Sequence, residues 1–338
     1  MAAGKSAWLK SSEEAVAPAR GRKAGKQRPK TMAETADKHQ LYVQAVQNPR
    51  REVRNLDVIF RTLSARYLGR RRNALVLRED FCGTAALCAE WVRGSSVRGR
   101  SAWGVDIDPE VIGYARKHTV GEDGEVSGGG PVHLVCGDVL DVGCDAVPSA
   151  DLVVAFNFSV CYFSRRCDLV RYLRHSLGNL GESGLFFCDI FGGVEATQSQ
   201  VSRVRNLGSF KYLFRQYGYD LSTNTVQLAL SFKMKDGSML KNCFTYKFRV
   251  YSLCEIREAM VEAGFGSVSI WISAKPGGSN ADSDDSDEGN ASDDSDNDSS
   301  GSGAFVELTS TMEMPRSFNA YVVGVKLPHP QKPASTSE

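Results

Sequence analysis

The spacing of apolar residues changes character along the chain, and each change marks a different kind of element. Val53, Leu56, Ile59, Phe60, Leu63 and Tyr67 recur every three to four positions, which predicts one helical face. Gly69 is placed to end that helix. Leu41, Val43 and Val46 form a shorter set before the break at Asn48-Pro49, so residues 37–73 are expected to hold N-terminal helices. From 74 to 192, short apolar runs alternate with helical segments. The runs predict strands at Ala74–Leu77, Ala102–Val105, Val132–Cys136, Leu152–Phe156 and Gly184–Asp189. Helices are expected at 84–94, 109–118 and 165–179, with 139–150 as loop. Strand–helix alternation implies right-handed crossovers and a parallel sheet.

The pattern then alternates. Lys211–Gln216, Thr225–Met234 and Lys241–Val250 are rich in Tyr, Phe, Val and Thr, and Asp236-Gly237 supplies a hairpin turn. An antiparallel β-insert is therefore expected over 207–250. Leu253–Ala263 reads as a helix opened by a Ser252/Glu255 capping box and stopped by Gly264. Val268–Ile272 and Asn319–Val325 predict two adjacent antiparallel strands. The fold class expected is α/β: a Rossmann-like doubly wound sheet, mostly parallel with a final antiparallel strand, plus the β-insert. The catalytic-size domain spans 74–275 and 304–327.

Composition adds the segments that do not join this core. Residues 1–36 are rich in Ala, Gly, Lys and Arg, with a basic run at 20–30, and are expected to be a disordered tail. Residues 276–303 are dominated by Ser, Gly and Asp and are expected to be a disordered acidic insert, tolerated because loop-closure entropy grows only with the logarithm of length. Residues 328–338 form a short tail. These opposite blocks nearly cancel to a net charge of +1, so no global field points to nucleic acid or membrane. Nine cysteines occur without a CxxC pair, which suggests reduced thiols in an intracellular setting, cytoplasmic, nuclear or organellar. No apolar run reaches the roughly 20 residues of a membrane helix.

Candidate chemistry sits at the predicted C-terminal ends of successive strands, where open α/β sheets bind ligands. Glu79-Asp80 follows the first strand and Asp106 the second. Asp138 follows the third and Asn157 the fourth. A carboxylate ending the second strand can accept both hydroxyls of a ribose. Asp138 can accept from an adenine amine, with Ile107 and Val139 on the two faces of the base. The acid of the first turn can meet an ammonium or, through water, the rest of an amino-acid tail. A dinucleotide would need glycines where Phe81 and Ala85 stand, and Glu79 and Asp80 would repel its pyrophosphate. A phosphate-free ligand with ribose, adenine and an amino-acid tail fits better, and S-adenosylmethionine is one. An NAD-dependent oxidoreductase is correspondingly disfavoured.

The order and spacing of these residues resemble the class I S-adenosylmethionine-dependent methyltransferases, over about 74–192 and 244–327. The family's first motif reads acid-x-Gly-x-Gly-x-Gly. Here Glu79-Asp80-Phe81-Cys82-Gly83-Thr84-Ala85 keeps the acid and the central glycine. The resemblance implies a methyltransferase with Glu79, Phe81, Cys82, Gly83, Thr84, Asp106, Ile107, Asp138, Val139 and Asn157 around the cofactor. Tyr42, Tyr162, Tyr246 and Arg249 are candidates for the acceptor pocket, with the β-insert as its cap. His175 reads as an ordinary helix residue. No general base is assigned and no metal is called for. The acceptor expected is a small molecule. The alternative is protein or RNA, with the basic N-terminal tail as a docking arm.

Overall fold

The computed structural model describes residues 28–94, 97–121, 123–273 and 305–327. The basic run up to residue 27, the acidic insert and the last eleven residues lie outside the described residues. The chain opens with helices α1 (Met32–Thr35), α2 (Lys38–Val46) and α3 (Pro49–Leu68). The tail was expected to extend to residue 36, but 28–36 are ordered. Thr31 and Glu34 form a capping box around α1, and the Met32 N–H donates to Asp236 of the β-insert at 2.8 Å. Local capping and a tertiary contact therefore override a composition poor in large apolar residues. In α3 the expected stripe is buried from Val53 to Leu63, and Gly69 ends the helix in the left-handed conformation (φ 66°).

The core elements follow: β1 (Val76–Asp80), α4 (Ala86–Arg93), β2 (Ser101–Asp106), α5 (Pro109–Ala115) with a π-helical turn Arg116–Val120, β3 (Val132–Cys136), β4 (Ala150–Ala155), α6 (Arg166–Asn179) and β5 (Leu180–Gly192). The insert holds β6 (Gln200–Asn206), β7 (Phe210–Asp220), β8 (Thr225–Met234) and β9 (Met239–Arg249). It is followed by α7 (Leu253–Ala263), β10 (Ser267–Ser273), β11 (Phe305–Glu307) and β12 (Phe318–Val325). The main sheet runs β3-β2-β1-β4-β5-β12-β10-β11. Strands β1 to β5 are parallel, and β12 lies antiparallel between β5 and β10. The strand order reverses between β1 and β4, which is the switch point where such sheets open a crevice.

Two boundaries moved for physical reasons. β1 was expected to end at Leu77 but runs to Asp80, because Arg78 and Asp80 neutralise each other inside the protein and can occupy strand positions. The insert begins at Gln200 rather than 207. Its edge strand β6 is polar and mostly exposed, so it lacks an apolar alternation, and its ladder with β7 defines it. The four-stranded sheet turns Val226, Leu228, Phe232, Phe244, Tyr246 and Phe248 toward the rest of the protein, where they join two apolar clusters with α2 and with α6–α7.

Candidate active site

Beyond Asp80 the chain makes a tight turn into α4. Phe81, Gly83 and Ala85 are all left-handed, with φ of 60°, 53° and 56°. These are the three positions at which the resembled family has glycine, so the alternating backbone shape is present although two glycines are not. For Phe and Ala that shape costs roughly 1–2 kcal/mol each. Packing holds it: the Phe81 ring lies 5.7 Å from that of Tyr172 and 6.1 Å from that of Phe163, and Ala85 is buried at the start of α4.

The turn is fastened to β2. The Cys82 N–H donates to Val105 O at 3.1 Å. Asp106 accepts from Gly83 N–H at 2.8 Å through one carboxylate oxygen and from Asp108 N–H at 3.0 Å through the other. Asp108, not Asp106, caps α5. Beneath the turn the fit is close: a Cβ on Gly104 would come within 2.9 Å of Cys82 Sγ and of a Leu134 methyl. Above it there is room, since a Cβ on Gly83 would meet nothing within 4 Å. Asp106 thus stands at the sheet edge beside open space, with burial raising its pKa against the two backbone donors. That arrangement fits a ribose.

Other residues of the expected cofactor site divide. Glu79 is 3% exposed and faces inward. Its carboxylate accepts from the Cys88 N–H at 3.2 Å and the Cys88 thiol at 3.0 Å, so it fastens α4 to β1 rather than meeting a ligand ammonium. The Cys82 side chain is buried in the same layer, leaving that residue only its backbone for a ligand. Thr84 is nearly buried. Ile107 is 49% exposed on the rim, whereas Val139 is 5% exposed and belongs to the core with Val105 and Val147. Asp138 accepts from Leu140 N–H at 2.9 Å and shapes the turn after β3. It lies beside Asp106, because the β2–β3 ladder continues through Gly137 N–H to Asp106 O. Asn157 and Phe158 are left-handed, and both of their N–H groups donate to Asp189.

Burial pushes Glu79 up to about 8, with Cys88 acting against the shift, and pushes Asp189 up to about 8 against its two backbone donors. Acids raised in this way favour the folded state while protonated. Their contribution is full below the unfolded carboxyl pKa and is lost as pH rises through about 8. The thermal midpoint is therefore expected to fall between pH 5 and 8.5. Glu79→Gln should flatten that slope in scanning calorimetry; an unchanged slope would remove Glu79 as its source.

The acceptor candidates come from three elements. Tyr42 is on α2, Tyr162 in the 3-10 turn Ser159–Tyr162, and Tyr246 on β9. Tyr42 packs on Phe244, next but one to Tyr246 on β9, and the rings of Tyr162 and Tyr246 are 6.3 Å apart. Burial pushes Tyr42 up to about 12, and the charge of Asp189 adds to this. Burial also raises Tyr162, which feels Tyr42 and Asp106. The Tyr162 ring also lies 6.4 Å from that of Phe81 in the turn after β1. Arg249 does not join them. Strand alternation puts it on the face of β9 opposite Tyr246, where it donates to Ser164 O and Glu255 and stacks on Tyr251. Helix α2 bridges the two bodies. Asp37 at its start accepts from Tyr114 of α5 at 2.8 Å, while Tyr42 packs on Phe244 of the insert at 4.9 Å.

Asp189 was missed in the sequence. It ends the run predicted as the fifth strand, so the rule applied to the first four strand ends would have found it.

No family model matches the chain, and no curated protein matches it in sequence. Solved structures match in fold. An S-adenosylmethionine-dependent methyltransferase from Clostridium acetobutylicum is 15% identical over 85% of this chain and 96% of its own, with a TM-score of 0.53. The S-adenosylmethionine-bound CalS10 of Micromonospora echinaspora, an amino pentose methyltransferase, is 13% identical over 84% and 95%, with a TM-score of 0.52. DesVI of Streptomyces venezuelae is 14% identical over 69% and 89%, also at 0.52. With its sheet order, its antiparallel β12 and its β1–α4 turn, this chain has the fold of the class I S-adenosylmethionine-dependent methyltransferases.

Proposed function

We propose that this protein transfers the methyl group of S-adenosylmethionine to a small-molecule acceptor. The observation that carries the reading is Asp106: a carboxylate at the tip of β2, clamped to the left-handed 81–85 turn and facing open space at the switch edge of the sheet. Asp106 would hold the ribose hydroxyls, Asp138 and Ile107 would meet the adenine, and the turn backbone would receive the amino-acid tail. When bound, S-adenosylmethionine supplies an electrophilic methyl on a positively charged sulfur. The chain's own task is positioning, and alignment in a dry site can account for about 7–11 kcal/mol of a barrier. The tyrosines under α2 and the insert would orient the acceptor and exclude water. A small acceptor is favoured over protein or RNA because α2 and the β-insert both reach over the crevice. The amino pentose of CalS10 supports the same reading.

The test is to incubate the full-length protein with methyl-labelled S-adenosylmethionine and separated metabolite, RNA and protein fractions. Label in the metabolite fraction is expected. Label only in RNA or protein would overturn the small-molecule acceptor. A second expectation concerns Gly83→Ala. The left-handed alanine should cost about 1 kcal/mol of stability, but its methyl projects into the space assigned to the cofactor. Calorimetric affinity for S-adenosylhomocysteine should therefore fall by more than that strain alone gives, about tenfold or beyond.

A further inference from the structure

The mechanism above leaves one acid without a task. Asp189 lies on β5 just beyond the end of β4, since Cys188 is the last β5 residue paired to it. Its two oxygens accept from Phe158 N–H at 2.7 Å and Asn157 N–H at 3.2 Å, one each. Each oxygen keeps a second lone pair. Both donors sit in strained left-handed residues, so the loop after β4 is bent around this carboxylate.

The groups acting on Asp189 are burial and the charge of Glu52 from α3, both of which disfavour its anion, and the two N–H groups, which favour it. Tyr42 of α2, Cys161 of the 159–162 turn and Tyr321 of β12 also sense its charge. Among the described residues Asp189 forms no ion pair, and its hydrogen bonds come from backbone N–H groups. Asp106 lies farther along the same sheet edge, so two carboxylates stand on it. Tyr42, Tyr162, Tyr246 and Asp189 are each partly exposed.

We propose that Asp189, with Tyr42, Tyr162 and Tyr246, forms the acceptor subsite and takes an organic ammonium. The proposal rests on the methyltransferase reading for what the bound amine would meet. Two strand spacings, about 10 Å, separate Asp189 from the tip of β1, so an amine here would lie on the far side of the crevice from the ribose acid. An ammonium supplies the missing counter-charge and stacks favourably on tyrosine faces. A bound ammonium favours the Asp189 anion, and a carboxylate whose pKa burial otherwise raises can take a proton back from it. The step is R–NH3⁺ plus –COO⁻ giving R–NH2 plus –COOH, which frees the nitrogen lone pair.

The experiment is isothermal titration of the full-length protein, saturated with S-adenosylhomocysteine, using benzylamine, benzyl alcohol and benzoate as probes. Benzylamine is expected to bind about tenfold or more tightly than the other two. Asp189→Asn should abolish that preference while affinity for S-adenosylhomocysteine stays within about twofold. Equal binding of amine and alcohol to the wild type, or a preference kept in the variant, overturns the proposal. If the wild type binds no S-adenosylhomocysteine, the methyltransferase reading fails instead. The same three titrations on the cofactor-free protein then decide the ammonium site. If Asp189→Asn does not fold, the wild-type comparison still decides, with Tyr246→Leu expected to weaken benzylamine and spare S-adenosylhomocysteine.

Discussion

Asp106→Ala is expected to lower affinity for S-adenosylhomocysteine by about 100-fold or more while the protein stays folded. The magnitude comes from two hydrogen bonds to one charged group, each contributing about 1.5–3 kcal/mol, where 1.4 kcal/mol is a factor of ten. The fold should survive because the carboxylate stands at the sheet edge. The Gly83 and Asp108 N–H groups it leaves behind border open space and can turn to water. Asp106→Asn should fall between wild type and alanine, since it retains an acceptor oxygen but not the charge. Calorimetric titration measures the affinities, and circular dichroism checks the fold. Unchanged affinity in a folded alanine variant would end the assignment of this edge to adenosine.

The largest loss of stability is expected from Asp80→Ala, about 3–5 kcal/mol in urea unfolding. Asp80 and Arg78 are both 0% exposed and bonded at 2.7 Å, and the Tyr172 hydroxyl donates to the second Asp80 oxygen at 2.9 Å. Burial raises Asp80, with Arg78 acting against it. The other two guanidinium nitrogens of Arg78 have no hydrogen-bond partner. Removing Asp80 would therefore strand a buried cation already short of acceptors. Replacing both charges, as Arg78→Met with Asp80→Asn, should recover most of the loss, because a buried pair repays little of its own desolvation. If the single and double variants are equally unstable, the pair is not what the site needs. Because this pair lies under the 81–85 turn, the single variant should also weaken cofactor binding through the turn's position.

How much of this was written in the sequence can be seen residue by residue. The stripe from Val53 to Leu63, the Ser252/Glu255 capping box and the αL stop at Gly264 are local instructions, and each appears as read. The strand–helix alternation also appears as read, and it puts the ends of β1 to β5 on one edge, but of the acids read there Glu79 and Asp80 turn inward. The sequence also offered Tyr42, Tyr162 and Tyr246 as pocket candidates, with Tyr42 from the helix before the core and Tyr246 from the β-insert.

The tertiary structure decided what proximity alone can decide. It put Glu79 beneath α4 instead of in the crevice, because Cys88, nine residues on in the first turn of α4, brings two donors to it. It turned Arg249 to the outer face of β9, since odd and even positions of a strand cannot share a face. It ordered α1 against Asp236, a contact across 204 residues that no local propensity contains. It also bent the loop after β4 around Asp189, through two backbone donors. Period and capping are encoded between neighbours in the chain. Which carboxylate faces a ligand and which fastens the fold depends on partners that only the folded chain brings together.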